Sequence, residues 1–340
     1  MEVFNKTERF NEDSFKELLY LYNVWFVVVI TSSLASFGIL NNVINMAVFF
    51  RQGLTERVNF TLFCLALSDL LTSLCALGYT TSYIEKLWPR DDRLEDNTLI
   101  VIFSWVRCFF ADTSSTLTLF ISIERCLCVT LPFTFSTSFD SKKTKLVVFF
   151  IACFMTVNYV PFLGTMKLEY ELLPETNRTE LTFIITDLFL FMCVYNNFVF
   201  GLSLAIICQV VIFVCAVLMY YGLRKSSKFR ESVKDVKSDK KGNGLSNKEK
   251  RIVKMVMMLA CLYLPTGLPQ VGYVLASTFV PEVLSDVEKG TFFISTSAIL
   301  FLVTANGSLT FFIYYNFNSS FRATFLRGFT RQSLLGVDKK

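Results

Sequence analysis

The sequence predicts an all-α membrane protein, a seven-transmembrane helix bundle followed by a short amphipathic helix, and three observations lead there. The chain is 53% hydrophobic, with 37 Phe and a mean hydropathy of +0.49 over 340 residues, which is more apolar surface than one soluble core can hide. A bilayer core about 30 Å thick needs roughly 20 apolar residues of helix to cross it, and runs of that kind recur along the whole chain. Lys and Arg collect in alternate loops, as the positive-inside rule requires.

The runs follow in order. Residues 1–21 form an N-terminal stretch with early charges and no cleavable-signal pattern, so the first span, Tyr22 to Phe50, serves as the insertion signal. The next spans are Val58 to Ile84, Leu99 to Leu127, Thr144 to Met166, Asn196 to Leu223, Glu249 to Ser277 and Thr291 to Tyr315, which makes residues 22–315 one helical domain. The apolar piece Leu181 to Val194 reads either as a loop packed over the helices or as an upward extension of the fifth span. Residues 224–248 are a charge run read as a mobile, solvated loop. Residues 316–340 hold Phe317, Phe321, Phe325 and Phe329 at four-residue spacing with basic residues between them, the pattern of an amphipathic helix lying on a membrane surface.

Arg51 and Arg57, then Lys142, Lys143 and Lys145, then the cluster from Arg224 to Lys254 fall on one side, which the rule assigns to the cytoplasm. The loops opposite, Pro89 to Asn97 and Glu169 to Glu175, are mixed or acidic. A multi-pass protein of the plasma membrane with its N-terminus outside is expected. The sequons at Asn5 and Asn177 then face outward and are the candidate glycosylation sites, whereas those at Asn59, Asn306 and Asn318 do not.

Composition also argues against several chemistries. There is no His, and the ten Cys form no CxxC pair, so metal and thiol chemistry have little support. No nucleophile and base are assembled, so no catalytic residue and no enzyme activity are expected. Nucleic acid is not an expected partner; membrane lipid is.

Charged residues inside the spans carry the functional reading. Arg125 ends the third span, where an unpaired guanidinium in lipid costs about 2.5 to 3.5 kcal/mol, so it must face partners inside the bundle. Glu124-Arg125-Cys126 resembles the Asp/Glu-Arg-Tyr triplet of rhodopsin-like (class A) G-protein-coupled receptors, and Pro132 follows Arg125 at that family's seven-residue spacing. GILNNVINM, with Asn42, and LALSDLL, with Asp69, resemble the family's first and second spans. The stretches FFRQGLTERVNFTLFCLALSDL, VRCFFADTSSTLTLFISIERCLCVTLPF and EKRIVKMV resemble, most closely, the chemosensory receptors of gastropod molluscs.

The resemblance implies roles residue by residue. Glu124, Arg125 and Glu249 would form an inactive-state lock, Glu249 lying twenty residues before the sixth-span kink proline if that proline is Pro269. That choice puts Tyr263 at a packing aromatic and Gly267 where the family keeps its switch tryptophan, so the tryptophan trigger does not carry over. Pro132 and Phe133 would offer an apolar knob to a heterotrimeric G protein. Tyr314 matches the Tyr of the seventh-span Asn-Pro-x-x-Tyr motif, while Thr310 and Phe311 depart from it. Asp69, Ser114, Asn306 and Asn42 would line either a sodium-holding cavity or a structural polar knot with water. The family's outer disulfide is displaced: Ile100 stands at its usual third-span position, leaving Cys108 and Cys193 as the candidate pair.

For the ligand, Arg107 stands where amine receptors of the family carry an Asp, so a carboxylate or other anion suits it better than a cationic amine. Arg107 and Asp112 are the ligand candidates, with an internal pair between Arg107 and Asp112 or Asp187 as the bland alternative. No Lys lies between Gly290 and Tyr315 for a retinal Schiff base, so no cofactor is expected. The expected function is transduction of an extracellular small-molecule or peptide signal to a G protein. A neuropeptide receptor of the same fold is the nearer alternative and a multi-span transporter or channel the more distant one, although no inverted repeat is seen.

Overall fold

Backbone N–H and C=O groups inside hydrocarbon have no water to bond, so apolar runs of this length satisfy them within helices. A computed structural model describes residues 18, 20–87, 98–131, 140–173, 178–234, 247–279 and 291–337, and it is almost entirely helical. A π-helical stretch, Asn23–Thr31, runs into α1, Ser32–Gln52, which stops at Gly53. Gly53 takes φ 92° and returns its N–H to Phe50 O at 3.1 Å, a backbone conformation open to glycine at little cost. Helices α2, Arg57–Leu87, and α3, Thr98–Thr130, follow. Helix α4, Ser141–Leu163, is N-capped by Asp140, whose carboxylate accepts from Lys143 N at 2.9 Å.

A two-stranded antiparallel hairpin comes next, β1, Lys167–Leu173, and β2, Arg178–Ile184, with Tyr170 opposite Leu181. Helix α5, Asp187–Asn196, capped by Thr186, continues through a π-helical stretch, Asn197–Leu204, into α6, Ala205–Lys234. The last four helices are α7, Asn247–Phe279, with Pro265 and Pro269 inside it, α8, Thr291–Ser308, α9, Thr310–Phe317, and α10, Ser319–Val337.

Six stretches among the described residues are long and apolar enough to cross a membrane: Tyr20–Gln52, Arg57–Ile84, Ser141–Leu163, Asp187–Lys225, Glu249–Ala276 and Ile294–Phe317. Helix α3 is less apolar because Arg107, Asp112, Glu124 and Arg125 lie on it. It packs against α2, α4, α6 and α7, so the helix with this charge has protein on several sides. The outward faces elsewhere are greasy. Phe149, Phe150, Val157 and Val160 of α4 and Val210 and Phe213 of α6 are all exposed, as expected where lipid is the solvent.

Several sequence expectations need correction. Of the two readings of the piece from Leu181 to Val194, the upward extension of the fifth span holds from Asp187, where the helix starts rather than at Asn196, while its first residues, Leu181 to Ile184, belong to strand β2. The hairpin was not foreseen. Residues 224–234 of the expected mobile loop are helical, and its centre, residues 235–246, lies outside the described residues. The phenylalanines around α10 serve protein packing. Phe321 is fully buried, 5.3 Å from Phe49 and 5.7 Å from Tyr314 between ring centroids, and Phe325 lies 5.5 Å from Phe311. Phe317 ends α9 and packs on the same cluster; the side chain of Phe329 is outside the described residues.

Candidate functional site

Three polar layers lie along α3. At its C-terminal end Glu124 and Arg125 are 2% and 3% exposed. Arg125 Nη2 donates to Glu124 Oε1 at 2.5 Å, and Arg57 Nε at the start of α2 reaches the same oxygen at 3.3 Å. Side chains adjacent in a helix point in different directions, so a pair between neighbours needs both to bend back to one spot. The desolvation cost of burying two charges favours that closure. Among the described residues the ion pair recorded for Arg125 is with Glu124. Pro132 and Phe133 lie outside the described residues.

The middle layer joins α1, α2, α3 and α8. Asp69 is 4% exposed and its Oδ1 accepts from Ser114 Oγ at 2.5 Å. Gly307 closes over it; a Cβ there would sit 3.0 Å from Asp69 Cγ. Asp69, Ser114 and Asn306 line one cavity of about 40 Å³, room for a few waters or one small ion. Asn42 is not part of that lining. It donates to Gly307 O at 3.2 Å, while Asn41 donates to Ser308 O at 2.9 Å and Asn45 to Thr310 Oγ1 at 3.3 Å. These bonds meet the chain where α8 breaks into α9 at Leu309; those of Asn41 and Asn42 satisfy carbonyls at the break, Gly307 O also accepting from Thr310 Oγ1 at 3.0 Å. Sequence reasoning missed Asn41 and Asn45. The signal was available in the NNVIN stretch, three amides on an otherwise apolar span.

The same cavity rises to the third layer, lined there by Asp112, Ser115, Gln209, Tyr263, Thr266 and Gln270. Asp112 accepts a short hydrogen bond from Tyr159 OH of α4. Gln209 is nine-tenths buried, and its amide lies where a Cβ on residue 267 would be, so Gly267 is what admits it. Among the described residues its Oε1 has no partner. Tyr263 packs with Cys208, Ile212 and Ala260, and Pro269 lies inside unbroken α7. Arg107, one turn and more above Asp112, is not among the cavity's lining residues. Its Nη2 donates to Cys108 Sγ at 3.7 Å, and among the described residues its Nε has no partner and it forms no ion pair with Asp112 or Asp187.

Two further expectations can be placed. All ten cysteines are free, so no bridge joins Cys108 and Cys193. Cys108 packs inward against Met155, Tyr159 and Phe200, while Cys193 lies on α5. Tyr314 is fully buried, its ring edge-on to Phe49 at 5.1 Å. Asn5 and Asn177 lie outside the described residues.

No curated protein matches the chain. Residues 29–332 match the family described as serpentine type 7TM GPCR chemoreceptor Srw, a span that takes in every described helix from the first crossing into α10. A buried Glu-Arg pair at the end of a central helix, a carboxylate held in the bundle and a multi-pass apolar exterior are therefore features of a chain that belongs to the Srw family of serpentine seven-transmembrane chemoreceptors.

Proposed function

We propose that this chemoreceptor is of rhodopsin-like organisation, crosses the plasma membrane seven times with α3 as its third crossing, and passes the binding of an extracellular ligand to a heterotrimeric G protein. The N-terminus is outside and the end carrying Arg125 faces the cytosol, following the loop charges. The observation that carries the reading is the Glu124–Arg125 pair, buried at a helix end where one population of the bundle covers it and another can uncover it. An agonist acts by binding the uncovered state better, and the shift can be no larger than that difference in affinity. The Cys in Glu124-Arg125-Cys126 and the flanking CysValThr favour the gastropod-type chemosensory subgroup.

In this reading Asp69 and Ser114 hold α2 to α3, with room beside them for water or sodium. Arg107, a guanidinium without an ion-pair partner among the described residues, favours a ligand with an anionic group. The test is guanine-nucleotide exchange on a purified G protein by membranes containing the receptor, during a screen of anions and peptides. Ligand-dependent exchange that is lost in Arg125→Gln supports the proposal. Ligand-dependent solute flux without exchange would establish the transporter alternative.

A further inference from the structure

At the end of the bundle that carries Arg125, α7, α9 and α10 meet around a second pocket of about 230 Å³, lined by Arg251, Lys254, Asn316, Phe317, Ser319 and Arg322. Three of the six are cations and none is an acid. Arg251 is held in place by donating to Ser319 Oγ at 2.7 Å, and among the described residues no ion pair is formed by Lys254 or Arg322. Its other side borders a neighbouring pocket with Glu56, so the uncompensated charge is chiefly that of Lys254 and Arg322. Concentrating like charge in this way costs free energy unless an anion answers it.

The surroundings say what kind of anion. Met258 follows Lys254 by one helical turn on α7, Phe312 precedes Asn316 by one turn on α9, and both are exposed, as is Leu326 one turn after Arg322. A basic pocket thus continues into an apolar surface of the spanning helices. That is the shape of an amphiphile with a highly charged head, and a soluble anion would leave the apolar part unused.

We propose that this pocket binds the headgroup of an anionic phospholipid carrying phosphomonoester groups, with Arg251, Lys254 and Arg322 around the phosphates and acyl chain over Met258 and Phe312. The pocket's placement at the inner leaflet rests on the topology proposed above, but the binding itself does not depend on G-protein coupling. Phosphate oxygens accept from the guanidinium fork in pairs, and a phosphomonoester brings more than one negative charge to the site. Basic pockets between spanning helices at the cytosolic side suit such headgroups. Because the three cations come from α7 and from the start of α10, an occupied pocket would tie the base of α7 to α10.

The test uses the full chain in nanodiscs of phosphatidylcholine, alone or doped with phosphatidylinositol 4,5-bisphosphate or with phosphatidylserine, and reads thermal stability and lipid affinity. The bisphosphate lipid should raise the melting temperature more than phosphatidylserine does. Lys254→Gln combined with Arg322→Gln should weaken its binding by roughly tenfold or more, tenfold corresponding to about 1.4 kcal/mol, while Lys142→Gln, an equal charge change elsewhere on the same side, should leave it unchanged. Equal loss in Lys142→Gln would show diffuse attraction to the membrane and overturn the site. Full stabilisation by soluble inositol trisphosphate would overturn the lipid assignment. Failure of these arms with ligand-dependent nucleotide exchange intact would leave the receptor reading standing and remove only this one.

Discussion

Arg57 Nε lies 3.3 Å from Glu124 Oε1, so the carboxylate that holds Arg125 is itself held from α2. Glu124 is thus the hub of the layer, with Arg125 on one side and Arg57 on the other. The two arginines differ in exposure, the Arg57 side chain being 25% exposed and that of Arg125 4%.

Breaking a buried pair by removing one member leaves a charge uncompensated, at a cost of about 3 to 5 kcal/mol to the state that buries it. Glu124→Gln should therefore raise basal nucleotide exchange severalfold at matched surface expression, and more than Glu249→Ala does, because Arg125 has its ion pair with Glu124. Arg57→Gln should have a smaller effect, its partner pair being better solvated. Equal or greater activation by Glu249→Ala would return the lock to Glu249.

The break between α8 and α9 yields a stability prediction. Asn41 and Asn42 donate to Ser308 O and Gly307 O, and hydrogen bonds between membrane helices are worth about 0.6 kcal/mol on average and up to roughly 1.7. Asn41→Ala with Asn42→Ala should lower the melting temperature of the detergent-solubilised receptor, while Asn316→Ala, whose bond runs along its own helix to Phe312 O, should change it little. A double variant as stable as the wild type would show that the two amides are dispensable, with Thr310 Oγ1 at Gly307 O and water at Ser308 O sufficing.

Gly267 and Gln209 are predicted to be coupled. A methyl group on residue 267 would overlap the Gln209 amide, so Gly267→Ala should destabilise the receptor or alter basal activity. Shortening the partner in Gly267→Ala with Gln209→Ala should restore much of the loss, a non-additivity of the kind contacting residues show. Additive effects in a double-mutant cycle would place the clash elsewhere.

Six of the spans were legible because twenty-residue apolar runs leave a helix few competitors, and Glu124 and Arg125 were legible as buried because lipid tolerates charge nowhere else. Asp69 with Ser114 was also foreseen as a set, and the structure brings the two into direct contact. Partnerships across the bundle were not readable: Arg57 was counted only as a loop charge, and nothing local marks it as facing Glu124. Gln209 was passed over because one amide on an apolar span has no period, and its meaning appears only beside Gly267. The hairpin from Lys167 to Ile184 was hidden by mixed charges and by apolar residues shared with the helix that follows.

Topology is open to a direct measurement. If the positive-inside rule assigns Arg51, Arg57, Lys142, Lys143 and Lys145 to the cytosolic side as proposed, an epitope inserted before Phe15 should be reachable on intact cells, and one after Lys340 only after permeabilisation. The reverse pattern would overturn the orientation, and accessibility of both epitopes on intact cells would mean an even number of crossings, leaving α3 as the helix to re-examine.

Arg107 carries the last prediction. Among the described residues its Nε has no acceptor, its Nη2 has only the weak acceptor Cys108 Sγ at 3.7 Å, and the Asp112 carboxylate is engaged by Tyr159. A guanidinium half withdrawn from water without an ion pair costs the ligand-free receptor free energy, and such costs persist in proteins mainly where function uses them. If the use is a ligand's anionic group, each charge-assisted hydrogen bond contributes about 1.5 to 3 kcal/mol. Arg107→Gln should then weaken an identified agonist by roughly ten- to a hundredfold, at tenfold per 1.4 kcal/mol, without lowering the melting temperature of the empty receptor. A fall in melting temperature or surface expression would instead make Arg107 a structural charge. Unchanged potency in a stable variant would move the ligand down to the Asp112 and Gln209 layer, where the cavity is lined without it.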